Sequence, residues 1–231
     1  MALALDDFMS DAAAVGFRQS RGWLFSPEPL RLAEADVAQL ERLGHPLRMF
    51  QQGCDRIYRR SVKGTLPGWI AQLLDAGKPA WLVEAQRSDA LREVAPRVIR
   101  PDLLLTGDGF ALTELDAVPG GMGITGWLSR RFGEEGYEVL GGNSGMLEGF
   151  RSLLPGGGEV LVSEEAADYR PEMEWLIQEL NVLGGGCWGV QSAEGFNAGK
   201  EESALYRFFE LFDWESIPAA RALSQRANLT P

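Results

Sequence analysis

The chain has 231 residues, 45% of them apolar, enough for one large domain or a domain with an appendage. Its formal net charge of −11 repels phosphate backbones and anionic membrane surfaces, which excludes nonspecific nucleic-acid binding. No run approaches the 18 or so continuous apolar residues of a membrane span, and the acidic N-terminal segment with Asp6, Asp7 and Asp11 is not a secretory signal. A cytoplasmic protein with neither a nucleic-acid nor a membrane partner is expected.

The only histidine, His45, rules out a two-histidine metal site within the chain and reads as a capping or surface residue. Cys54 and Cys187 stand in contexts that suggest neither a disulfide framework nor a zinc site, and each is expected as a buried thiol.

Taken in chain order, residues 27–63 open on a proline-marked polar stretch and run into a helical pattern. Val37, Leu40, Leu43, Leu47, Phe50, Cys54 and Ile57 recur at intervals of three or four, one apolar stripe that predicts core. Pro46 should kink or divide that helix. Residues 66–79 predict a short helix closed by Gly77, "AWLVEAQ" a strand, and "SDALREVA" a further helix.

"LLLT" and "FALTEL" are strand-like runs joined by Gly107, Asp108 and Gly109, a strong hairpin signal. Beyond them "ITGWLSRRFGEEG" and "NSGMLEGFRSLL" predict helices, and "PGGGEVLVSEE" a strand entered through flexible residues. "YRPEMEWLIQELNVLGGG" carries the clearest helix, with Pro171 in its first turn, Met173, Ile177 and Leu180 on one face, and Gly184 at its close. With "CWGVQ" as the next strand, residues 159–191 read β-α-β, the crossover of a parallel sheet. Strand and helix remain open for "ALYRFFELFDW", and the end reads as a polar helical tail. Trp127, Trp175, Trp188 and Trp214 are expected in the core.

The hairpin concentrates chemistry. Alternation sends Glu114 and Asp116 to one face, Asp102 lies on the neighbouring strand, and carboxylates so gathered repel unless a cation or an arginine joins them. Hard oxygen donors suit Mg²⁺, and Arg100 could hold a substrate carboxylate. The plain alternative is a solvent-facing strand whose acids pair with arginines. Arg92, Arg97 and Arg100 form a small basic edge that suits an anionic substrate or, more ordinarily, a solvated helix face. Gly121, Gly123 and Gly126 fit the spacing GxGxxG, but the acids before them and the absence of a well-placed ribose-binding acid argue against a dinucleotide site.

The segment "RPDLLLTGDGFALTELDAVPGG", with the βαβ unit and aromatic-arginine stretch after it, resembles the circularly permuted ATP-grasp ligases of the glutathione synthetase and glutathionylspermidine synthase group. The resemblance covers residues 95–218. It implies an α/β fold with a Rossmann-like, mainly parallel sheet flanked by helices, after an N-terminal helical segment. It also implies a boundary between residues 1–94 and a pre-ATP-grasp-like part, 95–231, the two forming one compact unit.

By the same resemblance Arg100, Gly120, Gly121 and Arg207 bind a small carboxylate or peptide-like substrate, and Glu114 and Asp116 ligate Mg²⁺ beside ATP. Asp116 stands where the group often has asparagine, and Pro119, Gly120 and Gly121 where serines are common, which departs from a glutathione site. The lysines are Lys63, Lys78 and Lys200, none in a phosphate loop. The chain is therefore expected to be the substrate-side part of a carboxylate–amine ligase, inactive alone, with ATP-binding lobes in a further region or a separate chain. A noncatalytic binding or scaffold domain of the same fold is the alternative.

Overall fold

A computed structural model describes residues 5–17, 24–92, 94–197, 203–211, 213, 215–225 and 229–230. In chain order the helices are α1 (Leu5–Ala14), α2 (Glu34–Arg42), α3 (Gly44–Val62), α4 (Trp69–Asp75), α5 (Ala80–Arg87), α6 (Met122–Glu134), α7 (Gly145–Leu153), α8 (Arg170–Leu183) and α9 (Ala220–Leu223). The strands are β1 (Arg100–Thr106), β2 (Gly109–Asp116), β3 (Gly157–Val162), β4 (Cys187–Ser192), β5 (Leu205–Phe208) and β6 (Leu229–Thr230). They divide between two compact units, residues 1–32, 118–209 and 228–231 in the first, and 33–117 with 210–227 in the second. Residues 94 and 95 both belong to the second unit.

The first unit is built on a parallel sheet in the order β4-β3-β5-β6. β3 is buried at every residue but the half-buried Glu159, in keeping with a strand covered on both faces. α8 makes the crossover from β3 to β4, with Pro171 in its first turn and Gly184 (φ 75°) ending it. The aromatic stretch resolves as β5, every residue of which is buried. α1 brings Phe8 against Trp127 and Phe132, with ring centroids 5.1 and 5.8 Å apart, and Phe17 meets Trp127 and Trp175. Trp127, Trp175 and Trp188 are buried as expected, whereas Trp214 lies outside the described residues.

In the second unit the long helical pattern is divided as expected. Pro46 has no N–H to bond the carbonyl of Arg42, so α2 ends there and α3 begins with Pro46 in its first turn. The stripe is not uniformly core. Leu47, Tyr58 and Ser61 are buried, but Phe50, Cys54 and Ile57 are exposed. At 100° per residue, Phe50 and Ile57 stand roughly 60–100° to one side of Leu47 and Tyr58, so spacing alone overstates the buried arc. Both cysteines are exposed, contrary to the expectation of buried thiols; Cys187 is the first residue of β4.

"AWLVEAQ" forms α5, not a strand. Ala, Leu, Glu and Gln favour helix, Pro79 supplies the extended residue before the first turn, and burial along α5 does not alternate. "SDALREVA" makes only a 3₁₀ turn at Asp89–Leu91, because Ser88 and Arg92 on either side are extended. Among the described residues, no helix is long and apolar enough to cross a membrane.

Candidate functional site

The hairpin of β1 and β2 turns through Gly107 and Asp108, with Thr106 paired to Gly109 (φ 118°). Its register puts Arg100 opposite Asp116 and Asp102 opposite Glu114, so all four lie on one face. A bulge keeps the apolar residues of the hairpin off that face. Leu103 pairs with Leu112, which leaves Thr113 as the extra residue, and its hydroxyl donates to the carbonyl of Asp102 at 3.0 Å. Without it, Phe110 and Leu112 would share a face with Glu114 and Asp116. With it, the apolar positions Pro101, Leu103, Phe110, Leu112 and Leu115 fall on the opposite side.

On the polar face Arg100 bridges two acids, at 3.2 Å to Asp102 and 3.3 Å to Asp116. Its side chain is 41% exposed and that of Asp116 25% exposed, while Glu114 faces solvent. The guanidinium thus supplies positive charge where the acids would otherwise repel. Among the described residues, no group of three or more acids, histidines or cysteines is placed to hold a metal ion. Glu114 and Asp116 are two hard donors, the number Mg²⁺ takes when phosphate and water complete its shell. Arg92 pairs with Asp89, three residues away, and the side chain of Arg97 is exposed.

The glycines after the hairpin belong to the first unit, and close packing explains them. A Cβ on Gly120 would lie 2.2 Å from the Tyr169 ring, and one on Gly123 would lie 2.0 Å from the carbonyl oxygen of Glu172. Gly126 faces Trp175 at 3.1 Å. Two of the three glycines in the spacing that imitates a nucleotide fingerprint, Gly123 and Gly126, are therefore the contact surface of α6 on α8. Gly121 (φ 87°) sits just before α6 in the left-handed region that glycine tolerates.

The amides at that helix start are already engaged. The buried Glu172 carboxylate accepts from Gly121 N–H at 2.7 Å and from Ile124 N–H at 3.3 Å. It occupies the place a phosphate would take. Arg207 is buried in β5, donates to the carbonyl of Phe209, and stacks 5.8 Å from the Phe209 ring.

A second cluster in the second unit escaped the reading of the sequence, because its members come from three helices and the turns beside them. Tyr58 of α3 donates its hydroxyl to Asp75 at 2.7 Å and accepts from Gln86 at 2.7 Å. Arg87 bonds both Tyr58 and Asp75, and Lys78 donates to Gln86 Oε1 at 3.2 Å. Burial opposes the charge on Asp75, yet the Tyr58 hydroxyl and the Arg87 guanidinium outweigh it and lower its pKa. Burial is the main reason the Tyr58 pKa is raised. Arg59 completes the wall, binding Asp55 at 2.9 and 3.0 Å and donating to the carbonyls of Gln86 and Arg87, the last two of α5, and of Ser88 just after it.

No family model matches the chain, and no curated protein or solved structure matches it significantly.

Proposed function

We propose that residues 1–231 are the substrate-side part of an ATP-dependent carboxylate–amine ligase of the ATP-grasp type. The reading rests on one observation above all, the register that gathers Arg100, Asp102, Glu114 and Asp116 on a single hairpin face. In this reading the finer fold is Rossmann-like, in keeping with the parallel order β4-β3-β5 and the α8 crossover.

Arg100, oriented by its two aspartates, receives the substrate carboxylate. Glu114 and Asp116 are the residues that would hold a Mg²⁺ arriving with ATP. The metal would supply charge neutralisation for an acyl phosphate. The chain's own part is to bind and orient the carboxylate. Nucleotide-handling lysines come from elsewhere, since in the sequence Lys63, Lys78 and Lys200 stand in no phosphate-loop motif.

A noncatalytic ligand-binding domain of the same fold is the second reading, favoured by the ion pairs that tie Asp102 and Asp116 to Arg100. Calorimetric titration with a short peptide carboxylate tests binding at the hairpin. Arg100→Ala should weaken it by about tenfold or more, the loss expected for a charged hydrogen-bonding partner, whereas Arg100→Lys should recover part of it. Glu114→Gln should leave peptide binding intact and weaken only the Mg²⁺ dependence of nucleotide binding, measured with the nucleotide lobes added. Robust ADP release by the isolated 231 residues would refute the claim that the site is incomplete.

A further inference from the structure

A depression of about 350 Å³ opens in the second unit beside the Tyr58–Asp75–Gln86 network. Its polar wall includes Asp55, Tyr58, Lys78 and Gln86, and its apolar lining includes Leu74 and Pro96. The volume is at the lower end of the range for small-molecule sites. Leu74 is 47% exposed, so a ligand with an apolar body would cover hydrocarbon that water now wets.

The charges around the depression do not cancel. Asp55 is held by Arg59 at both carboxylate oxygens, and Asp75 by Arg87. Each acid therefore has its own guanidinium. Lys78 lowers the Asp75 pKa through space, but its hydrogen bond goes to the neutral amide oxygen of Gln86. One ammonium is left in excess, in a protein whose net charge is −11. The side chains around it are fixed by bonds between α3, α4 and α5, so little ordering remains to be done when a ligand arrives.

We infer that this depression is a binding site for a small amphipathic monocarboxylate, with Lys78 receiving the carboxylate and Leu74 and Pro96 covering the apolar body. A lone ammonium, without a guanidinium fork or a row of backbone amides, suits a single negative charge better than a phosphate dianion. This site is separate from the hairpin face of Arg100 and stands whether or not that face binds a substrate.

Cys54 lines the depression and is exposed, whereas Cys187 is exposed in the other unit, so the chain carries a reporter and its own reference. Alkylation by iodoacetamide, followed at each cysteine by mass spectrometry, is the measurement. Millimolar hexanoate should slow modification of Cys54 and leave Cys187 unchanged, while hexylamine should protect neither. Lys78→Met should raise the hexanoate concentration for half-protection by about tenfold; Lys78→Arg should restore it. Arg100→Ala should leave the protection as in the wild type, which separates this site from the hairpin.

Absence of protection by hexanoate overturns the proposal, as does equal protection by hexylamine or by inorganic phosphate. Undiminished protection in a Lys78→Met variant with wild-type circular dichroism overturns it too.

Discussion

Gly123 and Gly149 differ only in what surrounds them. Both lie inside helices, but a methyl on Gly123 would enter the backbone of α8, whereas nothing lies within 4 Å of the position a methyl would take on Gly149. Gly149→Ala should therefore stabilise the protein by about 0.5–1 kcal/mol through helix propensity and a less entropic unfolded chain. Gly123→Ala should destabilise it by about 1–3 kcal/mol or more, since α6 must move off α8. Urea denaturation of the two variants reads both signs. The sequence displayed these glycines plainly yet offered a ligand-binding spacing for them. Nothing local marks Glu172, 49 positions beyond Gly123, as the residue whose backbone presses on Gly123 and whose carboxylate fills the start of α6. Tertiary contact, not motif, decides what a glycine is for.

At the scale of elements, the network of Tyr58, Asp75, Gln86 and Arg87 ties α3, α4 and α5 together through side-chain bonds. The Asp75 carboxyl is only 14% exposed, so Asp75→Asn should cost about 1–3 kcal/mol at neutral pH by leaving its donors poorly matched. The pH dependence follows from the direction of its shift. A folded-state pKa below the unfolded value of about 3.9 adds stability above that value, and the gain is lost as pH falls through the folded one. The gap between wild type and Asp75→Asn should thus be constant from about pH 5 to 8 and close in acid. Equilibrium unfolding at several pH values measures it; a gap unchanged down to pH 2 or so would show that Asp75 is not the titrating group. Tyr58 runs the other way. Its raised pKa adds stability that disappears as pH climbs through the raised value.

Hairpin, crossover and most helices were legible because each is a local pattern: a two-residue turn, a period of 3.6, a proline at a helix start. α5 was not, because a short apolar run fits strand and helix alike and its helix-forming composition was the deciding signal. The bulge at Thr113 was also hidden, since it depends on which residues of β1 and β2 meet. That an arginine would join the gathered acids could be read from the strands, but that Arg100 is the one, bridging Asp102 and Asp116, could not.

For the whole molecule, the first unit is assembled from segments far apart in the chain, and α1 is the clearest case. Phe8 is fully buried against aromatics of α6, so Phe8→Ala should destabilise by about 3–5 kcal/mol. It should also alter the emission of Trp127, which gains access to water. A stability change below about 1 kcal/mol would mean that α1 does not close this core. Charge, apolar content and the βαβ pattern foretold that such a core exists; which helix seals it was set by pairings across more than a hundred residues. That separation has a consequence in time. On a ribosome adding roughly 5–20 residues per second, the apolar side of α1 emerges on the order of 10 s before Trp127 and Phe132 are made. The nascent chain must hold an uncovered phenylalanine through that interval, an opportunity for a chaperone and a hazard without one.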